Sequence, residues 1–276
     1  MAWIQCNFFS TSLMRTVPIN VIIPTDKTIT INEAQTPKPY KTLYLLHGIF
    51  GNYTDWLSGT RIAAWAQDKN IVVVMPSGDN RFYIDQNVPG EKYGTFIKEE
   101  LVAFTRKTFP LSHRREDTFI GGLSMGGYGA IINGLAAPET FSAICALSPA
   151  TIIADHFDDL ALNAADIFKN RNYFEMVFGP LEKVAGSDAD YITLAKRLGK
   201  KDVAKPKLYL ACGTEDFLFD SNVAFKNDMI QLGFDVTWIA DAGDHDWEFW
   251  DKYIKKVLDW LPLDDATVGI GSGNVR

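Results

Sequence analysis

Cysteine is scarce in this 276-residue chain. Cys6, Cys145 and Cys212 are an odd set with no Cys-x-x-Cys pair. A disulfide framework and a thiolate metal site are therefore not expected, and the thiols read as buried and reduced. Positive charge is also short: 27 Lys and Arg stand against 34 Asp and Glu, a net charge of −7. Nucleic acid and anionic lipid both require a basic face, so neither is an expected partner. No run approaches the ~20 apolar residues of a membrane span. The N-terminal segment Met1-Ala2-Trp3-Ile4-Gln5-Cys6 has no basic stretch ahead of an apolar one. It does not read as a secretory signal, and a cytoplasmic location is expected. Repeats and low-complexity segments are absent, and histidine occurs only four times.

What is present describes a globular chain. Hydrophobic residues make up 47% and charged residues 22%, and seven Trp contribute to an aromatic content of 13%. Two β-branched and aromatic runs, Trp3 to Ser10 and Met14 to Ile23, flank a polar Ser-Thr-Ser and predict a hairpin. A loop is expected over 32–41. Short unbroken apolar runs then recur at 43–46, 71–75, 119–123, 143–147, 208–211 and 236–239. Runs of this kind suit central parallel strands covered on both faces. Amphipathic stretches alternate with them at 62–69, 93–108, 125–137, 223–232 and 247–261. The pattern predicts an α/β fold with eight strands in a mostly parallel sheet flanked by helices. One interval is too long for a connecting loop. The 151–205 stretch predicts a small helical insertion after the sixth strand. The domain is expected to span 1–263, with a flexible tail over 264–276.

Gly122, Ser124 and Gly126 form a Gly-x-Ser-x-Gly pattern between an apolar strand and a small-residue helix. A serine on such a sharp turn sits above the sheet with its oxygen exposed, and the flanking positions must be small for the backbone to approach. Ser124 is the candidate nucleophile. The segment lacks the Gly-Lys-Ser/Thr ending of a phosphate loop and the spacing of a dinucleotide site. A serine needs a base. His113 lies in a polar run before the nucleophile strand, His47 follows the third strand, and His156 falls inside the insertion. His245 follows the last strand, where a doubly wound sheet places its site, and the order Ser, acid, His selects it. The acid is expected on the loop after the seventh strand. Glu215, Asp216 and Asp220 compete there, with Asp220 reading as a helix N-cap and Asp216 as the choice. The cluster Asp241, Asp244, His245 and Asp246 raises a metal alternative, but no second histidine is near and no metal is expected. The glycine-rich His47-Gly48-Ile49-Phe50-Gly51 loop would supply one oxyanion N–H from Ile49, and Met125 the other.

Five segments carry a resemblance when taken together: Tyr44-Leu45-Leu46-His47-Gly48, 122–129, 212–218, 232–237 and His245-Asp246-Trp247. The chain resembles the α/β-hydrolase serine esterases of the esterase D type, bacterial tributyrin esterases in particular, from about residue 3 to 262. The resemblance implies Ser124 as nucleophile, Asp216 as acid and His245 as base. It further implies hydrolysis of short acyl esters without a cofactor. Related enzymes act on acetyl, feruloyl and cinnamoyl esters or on S-formylglutathione. A small-molecule ester is thus the expected partner, and a homo-oligomer is compatible with the sequence. Phe50, bulky on the oxyanion loop, and Trp56, Phe82, Tyr83, Phe219 and Trp247 are candidate pocket aromatics. A feruloyl or cinnamoyl ester is the alternative substrate, and a non-catalytic binding protein the alternative class.

Overall fold

The computed structural model describes residues 1–25, 39–151 and 157–263. Most of the expected 32–41 loop, His156 and the 264–276 tail lie outside the described residues. The opening hairpin pairs β1 (Ala2–Ser10) with β2 (Arg15–Ile23). Its turn is held from outside. Glu100 accepts hydrogen bonds from the Thr11 and Ser12 N–H groups and from the Ser10 and Thr11 hydroxyls, at 2.6–3.2 Å.

The remaining strands are β3 (Thr42–Leu46), β4 (Val72–Pro76), β5 (Thr118–Leu123), β6 (Ala143–Leu147), β7 (Lys207–Gly213) and β8 (Val236–Asp241). They form one sheet in the order β1-β2-β4-β3-β5-β6-β7-β8. β1/β2 and β2/β4 are antiparallel and every later pair is parallel. β3, β4, β5 and β6 are buried at every position, which is why each reads as an unbroken apolar run.

Helices cover both faces. α1 (Asp55–Gly59) and α2 (Ile62–Asp68) follow β3. α3 joins helical Tyr93–Thr95 and Leu101–Thr108 through a π-helical turn, Phe96–Glu100. α4 (Met125–Ala136) is buried along almost its whole length. The stretch after β6 holds α5 (Arg171–Phe178) and α6 (Tyr191–Leu198), as a helical insertion should. α7 (Phe219–Gln231) follows β7 and α8 (Trp247–Trp260) follows β8. α7 starts earlier than its apolar spacing suggests. Asp220 is not its N-cap but its second residue, because the turn at Asp216 already leads into the helix: the Phe219 N–H donates to the Asp216 carbonyl at 2.9 Å. α1 has too short an apolar signal to be read from sequence.

Candidate active site

Three side chains from three strand ends converge. Ser124 follows β5, Asp216 lies on the loop after β7, and His245 lies on the loop after β8. The Ser124 hydroxyl is 3.0 Å from His245 Nε2, and His245 Nδ1 is 2.8 Å from Asp216 Oδ2. A proton on Nδ1 facing the carboxylate leaves Nε2 free to accept from the serine. The Asp216 carboxylate is wholly buried. Burial pushes its carboxyl pKa up, but hydrogen bonds from His245, that group's charge, the Leu218 N–H and Ser148 outweigh burial and hold it below the usual range.

The serine sits where the sheet gives way to α4, with φ 52° and ψ −118°, a strained conformation for a residue with a side chain. Glycines make that turn possible. A Cβ on Gly126 would lie 2.4 Å from the Leu46 carbonyl oxygen and 2.5 Å from that of His47, and one on Gly122 would lie 2.4 Å from the Gly126 oxygen. The elbow therefore presses backbone against the end of β3, and only glycine fits both positions. Met125 heads α4, so the helix itself provides no acceptor for its N–H. Ile49 lies on the facing loop, and Gly48 approaches the elbow so closely that a Cβ there would meet Leu123 Cδ1 at 2.6 Å.

That facing loop is supported from behind. His47 is buried, and its Nε2 accepts the Gly78 N–H at 2.9 Å. Its Nδ1 therefore carries the proton and donates to the Gly48 carbonyl at 2.6 Å. Burial lowers the pKa of this imidazole, with partial opposition from its hydrogen bond to Gly48 and from nearby acids. His47, one of the four histidines weighed as the base and set aside by chain order, is thus a neutral prop. Trp56 and Tyr83 are corrected in the same sense. Both are buried, with Trp56 Nε1 donating to the Leu46 carbonyl and Tyr83 Oη to the His47 carbonyl, each at 2.9 Å. They hold the strand end instead of facing a substrate. Phe82 is likewise buried, among Tyr128, Phe174 and Phe178.

Phe219 faces Trp238 of β8. Trp247 packs edge-on against Trp56 and Trp250. Phe50, a sequence candidate, is largely exposed, and so is Phe217, which was not one. Phe217, 69% exposed, has its ring 4.8 Å from the His245 imidazole. Phe50, 64% exposed, meets Phe168 of the insertion edge-on at 6.2 Å. Phe217 and Phe168 escaped sequence reasoning. The one usable signal was an aromatic immediately after the acid.

The competing acids have other occupations. Glu215 accepts the Gly243 N–H at 2.6 Å and ties the β7 and β8 loops together. Asp241 bonds Lys252 and Tyr253, and Asp246 caps α8 through the Phe249 N–H. Among the described residues no three His, Cys, Asp or Glu side chains are placed to share a metal ion. His113 is exposed before the start of β5, at the opposite end of that strand. Cys145 and Cys212 are buried and Cys6 half-buried. A cavity of about 470 Å³ lies between α3, α4 and α6, with Tyr83 and Asn133 on its wall. None of Ser124, Asp216 and His245 lines it. Among the described residues no helix is long and apolar enough to cross a membrane.

Comparison with known proteins identifies the family. Residues 10–274 match the model of a family described as "Putative esterase". An acetyl esterase of Caldicellulosiruptor saccharolyticus is 42% identical over 262 residues, covering 95% of this chain and 98% of that protein. The substrate-bound structure of FphF, a fluorophosphonate-binding serine hydrolase of Staphylococcus aureus, is 31% identical with a TM-score of 0.81, covering 94% of this chain and 98% of that one. The S-formylglutathione hydrolase FrmB of the same organism gives 31% identity and a TM-score of 0.80 over the same shares. The fold is the α/β-hydrolase fold of such serine hydrolases.

Proposed function

The chain belongs to the esterase family and is a serine esterase, and on that footing we propose that Ser124, His245 and Asp216 are its catalytic triad, acting on short-chain acyl esters. The observation that carries the assignment is the continuous hydrogen-bonded line from Ser124 Oγ through both imidazole nitrogens to the Asp216 carboxylate. Ser124 attacks the ester carbonyl as His245 Nε2 takes its proton. Asp216, ionised and buried, fixes the tautomer and stabilises the imidazolium. The Ile49 and Met125 N–H groups receive the carbonyl oxygen as it becomes an oxyanion. The positive end of α4 points at the same place and adds to that stabilisation. Collapse of the tetrahedral species expels the alcohol, protonated by His245. Water then attacks the acyl-enzyme, with His245 again as base, and releases the acid.

The short-acyl reading is supported by the acetyl esterase among the relatives. A second reading, a hydroxycinnamate ester, rests on the exposed ring of Phe217 beside His245 and on the exposed Phe50–Phe168 pair next to Ile49, surfaces suited to stacking on an aromatic acyl group. Initial rates on p-nitrophenyl esters of increasing acyl length, with methyl ferulate and S-formylglutathione beside them, separate these. A short-chain maximum is expected. In a serine hydrolase, losing the nucleophile costs on the order of 10⁶ in turnover, so Ser124→Ala should be folded and inactive. Retention of most activity by that variant would overturn the assignment, and faster turnover of ferulate than of acetate would move the substrate to the second reading.

A further inference from the structure

The loop at 77–84, between β4 and α3, has no part in the reaction described above, yet its backbone is costly. Asp79, Phe82 and Tyr83 have φ of 44°, 53° and 58°, all in the left-handed region without being glycine. Such residues are strained and persist only where surrounding contacts hold them. Here the contacts face two ways. Toward the sheet, the Gly78 N–H donates to His47, Tyr93 and Arg15 bond Asp79, and Asn133 Nδ2 donates to the Tyr83 carbonyl. Toward the substrate side, the Asn80 side-chain oxygen accepts the Phe50 N–H at 2.8 Å. Phe50 is itself strained, with φ 67°, and directly follows Ile49.

The insertion reaches the same residue. Tyr173 of α5 donates its hydroxyl to the Asn80 carbonyl at 3.0 Å. Burial pushes the Tyr173 hydroxyl pKa well up, so it remains a donor at working pH. A second, apolar contact runs in parallel, the edge-on pair of Phe50 and Phe168. The insertion thus touches the oxyanion loop both directly and through Asn80.

We propose that Asn80 is a positioning residue for the oxyanion hole and that Tyr173 seats it, so that the helical insertion, which supplies none of the three triad side chains, tunes stabilisation of the transition state. The proposal rests on the assignment of the Ile49 N–H as an oxyanion donor. Its physical content is simple. The Phe50 N–H, once held by Asn80, fixes the Ile49–Phe50 peptide, and the strained Phe50 cannot relax toward ordinary backbone angles. The neighbouring Gly48–Ile49 peptide then presents its N–H at a constant angle. Without Asn80 the loop gains freedom that must be lost again at each turnover, a cost met only in the transition state.

The test is a double-variant cycle of Asn80→Ala and Tyr173→Phe, with kcat and KM measured on p-nitrophenyl acetate and melting followed in parallel. Losing an oxyanion donor outright costs about 10²–10³ in kcat, so loosening one should cost less, about 10- to 100-fold for Asn80→Ala, with KM changed by less than about threefold. Tyr173→Phe should lower kcat by about three- to tenfold, and the double variant should be no slower than Asn80→Ala alone, because both act through one contact. A kcat within about twofold of wild type for Asn80→Ala, a rise in KM carrying the whole effect, or full additivity of the two changes would overturn the proposal. Should Asn80→Ala fail to fold, Tyr173→Phe decides alone: unchanged kcat refutes the coupling, and reduced kcat at constant KM upholds it. Failure of the underlying triad assignment looks different, because Ser124→Ala would then keep most of the wild-type rate.

Discussion

Replacing His47 by Asn and by Gln separates its two hydrogen bonds. The Gly48 carbonyl and the Ile49 N–H are opposite sides of one planar trans peptide, so a group that holds the carbonyl also aims the N–H. His47 Nδ1 holds that carbonyl at 2.6 Å while Nε2 accepts from Gly78 at 2.9 Å. An Asn side-chain NH₂ would sit near the place of Nδ1 and keep the bond to Gly48. A Gln oxygen would sit near the place of Nε2 and keep the bond to Gly78. His47→Asn leaves the buried Gly78 N–H unpaired, worth about 1–3 kcal/mol, and His47→Gln leaves the Gly48 carbonyl only its longer 3.3 Å bond from the Gly51 N–H, a loss of similar order. Both should therefore melt lower by a similar amount, about 2–4 °C for each kcal/mol in a chain of this size. Activity should split them. His47→Gln loosens the peptide that carries the proposed oxyanion donor, leaving its carbonyl held by the Gly51 N–H alone, and should lose about 10- to 100-fold in kcat, short of the 10²–10³ for outright removal of a donor. His47→Asn should stay within about fivefold of wild type by the same scale. Saturation kinetics on p-nitrophenyl acetate with calorimetry on the same samples give both numbers. Equal loss of kcat in the two variants, or the larger loss in His47→Asn, would refute the reasoning.

Three further outcomes are expected. Gly126→Ala would drive a Cβ into the Leu46 and His47 carbonyl oxygens at 2.4–2.5 Å; it should abolish hydrolysis and lower the melting temperature, and a near-normal enzyme would show that the elbow is softer than drawn. Glu100 concerns acid stability. Burial raises its pKa, but the four hydrogen bonds from Ser10, Thr11 and Ser12 outweigh burial and lower it. A depressed folded pKa stabilises above the unfolded value, about 4.3, and that contribution disappears as pH falls through the folded one. Urea midpoints should accordingly fall less steeply below about pH 4 in Glu100→Gln than in wild type, and parallel curves would exclude the hairpin clamp as a contributor. Trp56→Phe removes the 2.9 Å bond to the Leu46 carbonyl; a loss of about 1–3 kcal/mol with KM unchanged is expected, whereas a large KM effect would return Trp56 to the substrate pocket.

The sheet was legible because its central strands are buried on both faces, so burial alone writes them as apolar runs such as Leu43-Tyr44-Leu45-Leu46. The sharp turn at Ser124 was legible because backbone crowding at Gly122 and Gly126 tolerates no other residue. Strand-end position likewise brought His245 and Asp216 forward, since loops at one end of a parallel sheet must be neighbours. Pocket membership was not legible. Whether an aromatic faces substrate or props a carbonyl depends on the direction of its side chain, and Trp56, Tyr83 and Phe217 carry no sequence mark of that direction. The same holds for Asn80. Gly-Asp-Asn reads as an ordinary turn, and its service to Phe50 appears only when residues thirty apart are brought together.

Among the described residues the sheet ends at β8, which pairs with β7 alone and is only half-buried along most of its length. From that edge hangs the loop carrying His245. Edge strands open locally at a smaller free energy than the strands they border. Catalytic competence should therefore be a more fragile property than foldedness. On slow heating the enzyme should fall silent while most of its amide protons remain protected, and on cooling it should recover before aggregation begins. An activity trace then works as a thermometer for one edge of the sheet, reading a transition that calorimetry averages away.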